Sequence, residues 1–298
     1  MSKIIAIGDV HNHWVEAEAI ASKYDETHTI VFTGDFFDNF GDTAIDADQT
    51  ARWLKESLTK PNRIHLMGNH DINYAYFNTR PGSNLGDQIY SCSGYSPAKD
   101  DAINRILDKN DWDKIKFAHN ENGFWFSHAG FHPFWFSSPP YGMDDEVINI
   151  KLRKIHKAIE DREFSNELAG AGKCRGGMNR VGGLLWRDQK QESYTGSYWN
   201  DESGIKQVSG HTPMYGGIDV EETRNKGLCI DIDCGLSQVL EILEDGTYNI
   251  IDTGMENFYK ESERKFAEQE KKKRDELKSK YMHNIGAYDD IYNKLNKS

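Results

Sequence analysis

The chain predicts an α/β fold built on a mixed sheet. Three observations carry that expectation. Short apolar runs alternate with helical patterns over residues 3–67, which implies parallel strands joined by right-handed crossovers. The first three runs lead into glycine followed by Asp or Asn. Later runs crowd together, and two of them flank Glu244-Asp245-Gly246, a hairpin signal that brings in antiparallel pairing.

Strands are predicted at Lys3–Ile7, Thr29–Thr33, Arg63–Met67, Gly123–Ser127, Lys206–Ser209 and Leu228–Ile232, then at 238–242 and 247–251. Helical spacing marks Trp14–Lys23 and Ile45–Leu58, the latter with Ala47, Ala51, Leu54 and Leu58 near one face. Ala169–Gly183 holds six glycines and reads as a long irregular loop. Glu256–Met282 reads as a charge-rich helix. Nothing apolar lies between its Ala267 and Leu277, so its middle is expected to be solvated all round. The expected organisation is one domain over 1–255 and a helical extension over 256–298.

Of 298 residues 37% are hydrophobic, enough for a core, so wholesale disorder is excluded. No apolar run is long enough to span a bilayer, and MSKIIAIGDV opens as a buried strand rather than a signal peptide. The four cysteines lack CxxC spacing and are expected to be inert thiols, which makes a reducing cytoplasm the simplest compartment. The net charge of −12 is uneven: residues 256–298 carry +2 and the remainder −14. An acidic body disfavours nucleic-acid backbone and suits a protein that holds divalent cations.

The chemistry collects at strand ends. The first strand leads into Gly8-Asp9-Val10-His11, where Asp9 and His11 at i and i+2 can reach one point. The second leads into Gly34-Asp35-Phe36-Phe37-Asp38, the third into Gly68-Asn69-His70-Asp71. Ser127-His128-Ala129-Gly130 and Gly210-His211-Thr212-Pro213 follow two later strands. Parallel strands lay such ends side by side, and oxygen with imidazole donors is what a divalent cation takes.

In that order, GDxH, GDxxD, GNHD, HAG and GHTP resemble the calcineurin-like metallophosphoesterase superfamily. HAG and GHTP resemble its bacterial and phage phosphoprotein-phosphatase branch, which includes the phage lambda phosphatase and the diadenosine tetraphosphatases. The resemblance runs from Gly8 to Pro213. It implies a four-layer αββα sandwich with mixed sheets and a two-metal phosphatase. Asp9 and His11 would hold one ion, Asn69, His128 and His211 the other, and Asp35 would bridge them. His70, oriented by Asp38, would be the general acid. The metals would be Mn, with Fe or Zn also suited. The substrate would be a phosphomonoester, on a protein or a small molecule, or a nucleotide pyrophosphate, attacked by a metal-bridging hydroxide.

One departure stands out. The family's second motif is usually GDxxDRG, and its Arg clamps phosphate; here Asn39 follows Asp38. Leu168–Arg187 contains no acid and four bases. Within it, Leu184-Leu185-Trp186-Arg187 resembles the branch's LLW element, so Arg187 is the first choice for a displaced clamp, Arg175 the second. A planar guanidinium suits bidentate phosphate contact.

Other histidines read more plainly. His13 matches GDxHGH and is expected beside the ligands rather than among them. His65 lies in an apolar strand and reads as a core residue. Gly170-Ala171-Gly172-Lys173-Cys174 mimics a phosphate-binding loop but lacks its first Gly and its final Ser/Thr. The aromatic cluster Phe131, Phe134, Trp135, Phe136 reads as packing. Phosphodiesterases and nucleases of the superfamily generally end GHxH, where this chain has Thr212-Pro213. A binding protein that lost catalysis would lack a ligand or His70, and none is missing. A protein contact through the terminal helix is the remaining expectation for partners.

Overall fold

The computed structural model describes residues 2–77, 92–137, 143–161, 163–192, 204–223 and 227–260, with 264, 268 and 271. It divides into two compact units, 1–257 and 258–298. In the second, the described residues are all helical, as the charge-rich pattern predicts; the rest of 256–282 lies outside the described residues.

The first unit holds two five-stranded sheets, and every predicted strand is present within a residue or two of its expected bounds. The first sheet has the order β10-β9-β1-β2-β3, from β1 (Lys3–Ile7), β2 (His28–Phe32), β3 (Arg63–His65), β9 (Gln238–Ile242) and β10 (Tyr248–Asp252). The second runs β4-β5-β6-β8-β7, from β4 (Ala118–Glu121), β5 (Phe124–Ser127), β6 (Lys206–Ser209), β7 (Asp219–Glu222) and β8 (Leu228–Asp231). Strands β1, β2 and β3 are parallel, as are β5, β6 and β8; β9, β10, β4 and β7 join them by antiparallel pairing. The β9–β10 hairpin turns at Gly246 (φ 77°), with Leu243 N bonded to Thr247 O. This is the mixed α/β architecture of the calcineurin-like sandwich.

Strand alternation explains the layers. Ile4, Ala6, Val31 and Leu66 of the first sheet share one buried cluster with Phe124, Phe126, Val208 and Ile230 of the second. Their neighbours point outward. Phe32 packs on Trp53 of α2 (Ala44–Ser57), which starts at a Thr43–Asp46 capping box. Its ring also stacks on His65, whose Nε2 meets Ser57 Oγ at 2.8 Å; His65 is the core histidine expected. The remaining helices are α1 (Trp14–Ala21), α3 (Asn69–Phe77), α4 (Pro97–Asn104), α5 (Lys109–Trp112), α6 (Pro133–Phe136), α7 (Asp145–Glu160) and α8 (Asn166–Ala169). The glycine-rich loop is irregular apart from a 3-10 turn at Lys173–Arg175. Among the described residues no helix is long and apolar enough to cross a membrane. None of the four cysteines is in a disulfide.

An ionic clamp fastens β3 to the first crossover. Arg63, its side chain wholly buried, sends Nη1 to Glu18 (2.6 Å) and Nε and Nη2 to Asp25 (2.8 and 2.6 Å). Burial pushes the Glu18 carboxyl up, but the bonds from Arg63, Trp53 and Lys60 together pull it down to about 2. A carboxylate held that low stabilises the fold above its ordinary pKa, and the contribution fades as pH falls towards 2. Arg63→Met is expected to cost about 2–3 kcal/mol at pH 7 in urea unfolding, less than a fully buried pair because Glu18 keeps some solvent. The gap between mutant and wild type should narrow on acidification.

Candidate metal centre

The expected ligands come together. Asp9, His11 and Asp35 form one group of convergent donor atoms, and Asp35, His128 and His211 form a second. Asp35 belongs to both. Its Oδ2 lies 3.8 Å from His11 Nε2 and 3.4 Å from His128 Nε2. Asn69 joins the second group, its Oδ1 2.7 Å from His128 Nε2.

The backbone at these strand ends is strained. His11, Asp35, Asp38 and His211 have φ of 44°, 48°, 65° and 72°, a region non-glycine residues seldom occupy. Two glycines are required by contact: a Cβ on Gly68 would sit 2.1 Å from Asp35 Oδ1, and one on Gly210 would sit 2.0 Å from Asp9 Oδ1. His211 N donates to Asp9 Oδ2 (3.0 Å) and His70 N donates to Asp35 Oδ1 (2.9 Å). The loops after β6 and β3 thus hold the carboxylates that follow β1 and β2.

The donor chemistry fits cations. His128 Nδ1 faces the Thr33 carbonyl at 2.9 Å, so that nitrogen carries the proton. Burial pulls the His128 pKa down to about 3, leaving Nε2 with a lone pair. That atom lies 2.7 Å from another acceptor, Asn69 Oδ1, and 3.1 Å from His211 Nδ1. Likewise His11 Nδ1 donates to the carbonyls of Phe37 and Asp38, and burial drives its pKa down to about 4, so Nε2 presents a lone pair to two carboxylates. Burial lifts the Asp35 carboxyl to about 8. His211 Nε2 is buried without a hydrogen-bond partner. Lone pairs and carboxylates facing one another in a dry site call for positive charge between them.

Beside this cluster sits the His70–Asp38 pair, Nδ1 to Oδ2 at 3.0 Å. Burial works against protonation of His70, but the Asp35 and Asp38 carboxylates outweigh it and raise its pKa. Its ring meets that of His11 edge-on at 5.3 Å.

The structure separates the two clamp candidates. Arg187 is 1% exposed, and the space beside Gly130 that a Cβ would fill lies 2.6 Å from its Nη1. It is an interior residue rather than one at the mouth of the site. Trp186 beside it packs edge-on against His211, and Leu184 O accepts from Ala129 N, so this segment braces the ligand loops. Arg175 is half-buried. Its Nη2 lies 3.5 Å from His211 O and 3.4 Å from Thr212 Oγ1, and its Nε lies 2.9 Å from Asp188 Oδ2. Asn39 is engaged locally, with Nδ2 donating to His13 Nε2 (3.0 Å) and Oδ1 accepting from Phe40 N. His13 belongs to neither group of convergent donors.

Four contributors escaped the sequence reading. Asp71, fully buried, accepts from Phe36 N (2.8 Å) and Gly68 N (2.9 Å), joining the loops after β2 and β3. It is the last residue of the GNHD motif. Asp231 and Asp233 are both fully buried and act on Asp9, adding to burial in raising its pKa. Their signal is alternation: two acids spaced i, i+2 where an apolar strand ends. Cys92, read as inert, accepts from Asn69 Nδ2 (3.1 Å) and donates to Asn69 O (2.9 Å), which turns Oδ1 inward.

The family model for calcineurin-like phosphoesterases matches residues 2–236. The chain belongs to that family. No curated protein matches the chain significantly. Among solved structures it is similar to a candidate diadenosine tetraphosphatase (16% identity, covering 84% of this chain and 93% of that one, TM-score 0.42). It is also similar to the cold-active protein-tyrosine phosphatase of a psychrophilic Shewanella species (17%, 85% and 81%, TM-score 0.49). A third is a protein serine/threonine phosphatase from Saccharomyces cerevisiae (16%, 85% and 80%, TM-score 0.44).

If each donor group takes one ion, protein dialysed against Mn²⁺ and assayed by elemental analysis should bind two per chain. Asp35→Ala is then expected to weaken both, and His211→Ala chiefly one. Unchanged stoichiometry in Asp35→Ala would contradict a shared ligand.

Proposed function

We propose that the chain is a two-metal phosphatase acting on phosphomonoesters. The carrying observation is the carboxylate common to both donor groups, Asp35, which accepts from the backbone amide of His70, the residue whose ring pairs with Asp38. Asp9 and His11 would hold one ion, Asn69, His128 and His211 the other, and Asp35 both. Divalent cations there supply Lewis acidity towards phosphate and activate water near neutral pH. Carboxylate, imidazole and carboxamide donors suit Mn²⁺, with Fe and Zn²⁺ as alternatives.

The side chains divide the remaining work. His70 turns Nδ1 to Asp38, so Nε2 is the atom that protonates the leaving oxygen as the P–O bond breaks. As a water oxygen bonds to phosphorus, the departing alkoxide takes the broken bond's electron pair and that proton and leaves as an alcohol, with inorganic phosphate as the other product. Asp38 holds the ring's orientation and favours the imidazolium. Arg175, within reach of the His211 loop, carries the charge that Asn39 cannot supply to phosphate oxygens. Its ion pair with Asp188 keeps the guanidinium on that side of the loop.

His70→Asn is expected to lower kcat by about 10²–10⁴ on an alkyl phosphate and far less on 4-nitrophenyl phosphate, with both metals retained. Asp38→Asn removes a carboxylate that raises the His70 pKa, so the alkaline fall of kcat should begin at lower pH. A pH profile unmoved by Asp38→Asn would take the pair out of the mechanism.

Arg175→Ala should raise KM and reduce kcat/KM by about 10–10³, while Arg187→Ala should act on thermal stability. Full turnover in Arg175→Ala would remove the displaced clamp. A panel of 4-nitrophenyl phosphate, its bis ester, a phosphopeptide and a dinucleoside tetraphosphate assigns the substrate; preference for the bis ester would overturn the monoester reading.

A further inference from the structure

Lys99, near the start of α4, is an ammonium inside the protein, 4% exposed. An interior lysine needs partners. Its Nζ lies 3.0 Å from Asp38 Oδ1, 2.5 Å from Asp42 Oδ1 and 2.8 Å from Gly94 O. With three acceptors around it, the ammonium is spent inside the fold and does not serve a phosphate.

The contact with Asp38 bears on the chemistry. The two oxygens of that carboxylate have separate tasks. Oδ2 faces His70 Nδ1, and Oδ1 takes the Tyr74 hydroxyl (2.6 Å) together with Lys99. A carboxylate with one free oxygen can swing about its Cβ–Cγ bond. Two donors on Oδ1, one of them charged, stop that swing and leave Oδ2 for the imidazole alone.

The same ammonium reaches further. Asp42 Oδ2 accepts from Asn12 Nδ2 (2.7 Å), and Asn12 Oδ1 accepts from Thr50 Oγ1 (2.8 Å). Asn12 follows the ligand His11 and shares its left-handed backbone, with φ 64°. Lys99 therefore ties α4 to the loops after β1 and β2. Gly94 makes the approach possible. Its φ is +101°, and a Cβ there would press on Asp38 Cβ and Cγ at 3.0 Å. The bare backbone lies flat against Asp38, so its carbonyl meets the ammonium.

We propose that Lys99 is a positioning residue for the His70–Asp38 pair, locking the carboxylate so that His70 is held ready to protonate the leaving group. The inference rests on the phosphatase reading. It replaces nothing at the phosphate. The usual family cation follows Asp38 in sequence and faces substrate, whereas this one arrives from a separate helix and faces the carboxylate.

The test uses the full chain reconstituted with Mn²⁺. Lys99→Met should lower kcat on an alkyl phosphate by about 10–10² with KM within about twofold, and should leave 4-nitrophenyl phosphate nearly untouched. In a His70→Asn background Lys99→Met should add no further loss, because the group it positions is gone. Lys99→Arg should recover most of the activity, and Lys99→Gln serves where the Met variant fails to fold. Equal losses on both esters, or additive losses with His70→Asn, would overturn the proposal. A second readout needs no turnover. With diamagnetic Zn²⁺ in place of Mn²⁺, the His70 Nδ1 proton, bonded to Asp38, should give a downfield proton NMR signal that is lost or broadened in Lys99→Met and kept in Lys99→Arg. The same signal in Lys99→Met would also overturn the proposal. A wild-type protein idle on every phosphate ester would defeat the phosphatase reading instead, with the NMR comparison still deciding the role of Lys99.

Discussion

Everything around the site depends on one carboxylate held in an unfavourable place. Asp35 is 2% exposed, at a φ of 48°, with one oxygen fixed by the His70 amide and the other aimed between His11 and His128. Burial raises its pKa to about 8, so the site as folded resists the charge that its geometry is arranged to use. Cations placed between these donors would reverse that balance, because a bound divalent ion is the largest local charge and stabilises the anion. The surrounding fold supplies what the strain costs.

That support is visible residue by residue. The core between the sheets fixes β1, β2 and β3 side by side, and their carboxyl ends can only deliver Asp9, Asp35 and Asn69 to one place. Asp71 then stitches two of the loops through backbone amides, and Gly68 and Gly210 give up side chains so that the Asp35 and Asp9 carboxylates can sit against bare backbone. The second sheet brings His128 and His211 from parallel strands β5 and β6. Charge is spread outward from there. His70 meets Asp38, Asp38 meets Lys99 and Lys99 meets Asp42, so along this chain each group meets one of opposite charge.

The central strands were legible because they are buried on both faces and read as continuous apolar runs, and the ligands because motif residues follow those runs directly. Two edge strands of the second sheet were not. β4 is Ala-His-Asn-Glu and β7 is Asp-Val-Glu-Glu, polar segments held by pairing rather than by burial. Helix α7 was readable in principle, with Ile148, Leu152, Ile155 and Ile159 on one face, but it carries no chemistry to draw attention. Arg187 shows a different limit. A run without acids reads as a basic patch whether its guanidinium points to solvent or inward, and only packing places this one inside. Lys99 and Cys92 were invisible for the same reason. Neither sits in a motif, and each matters through a contact with a residue at least 23 positions away.

The most direct measurement of the shared carboxylate is electron paramagnetic resonance of the Mn²⁺-loaded protein. Two ions joined through Asp35 should give the multiline spectrum of an exchange-coupled pair, and Asp35→Asn should convert it to the signal of separate ions. A wild-type spectrum of uncoupled Mn²⁺ at full loading would contradict the account.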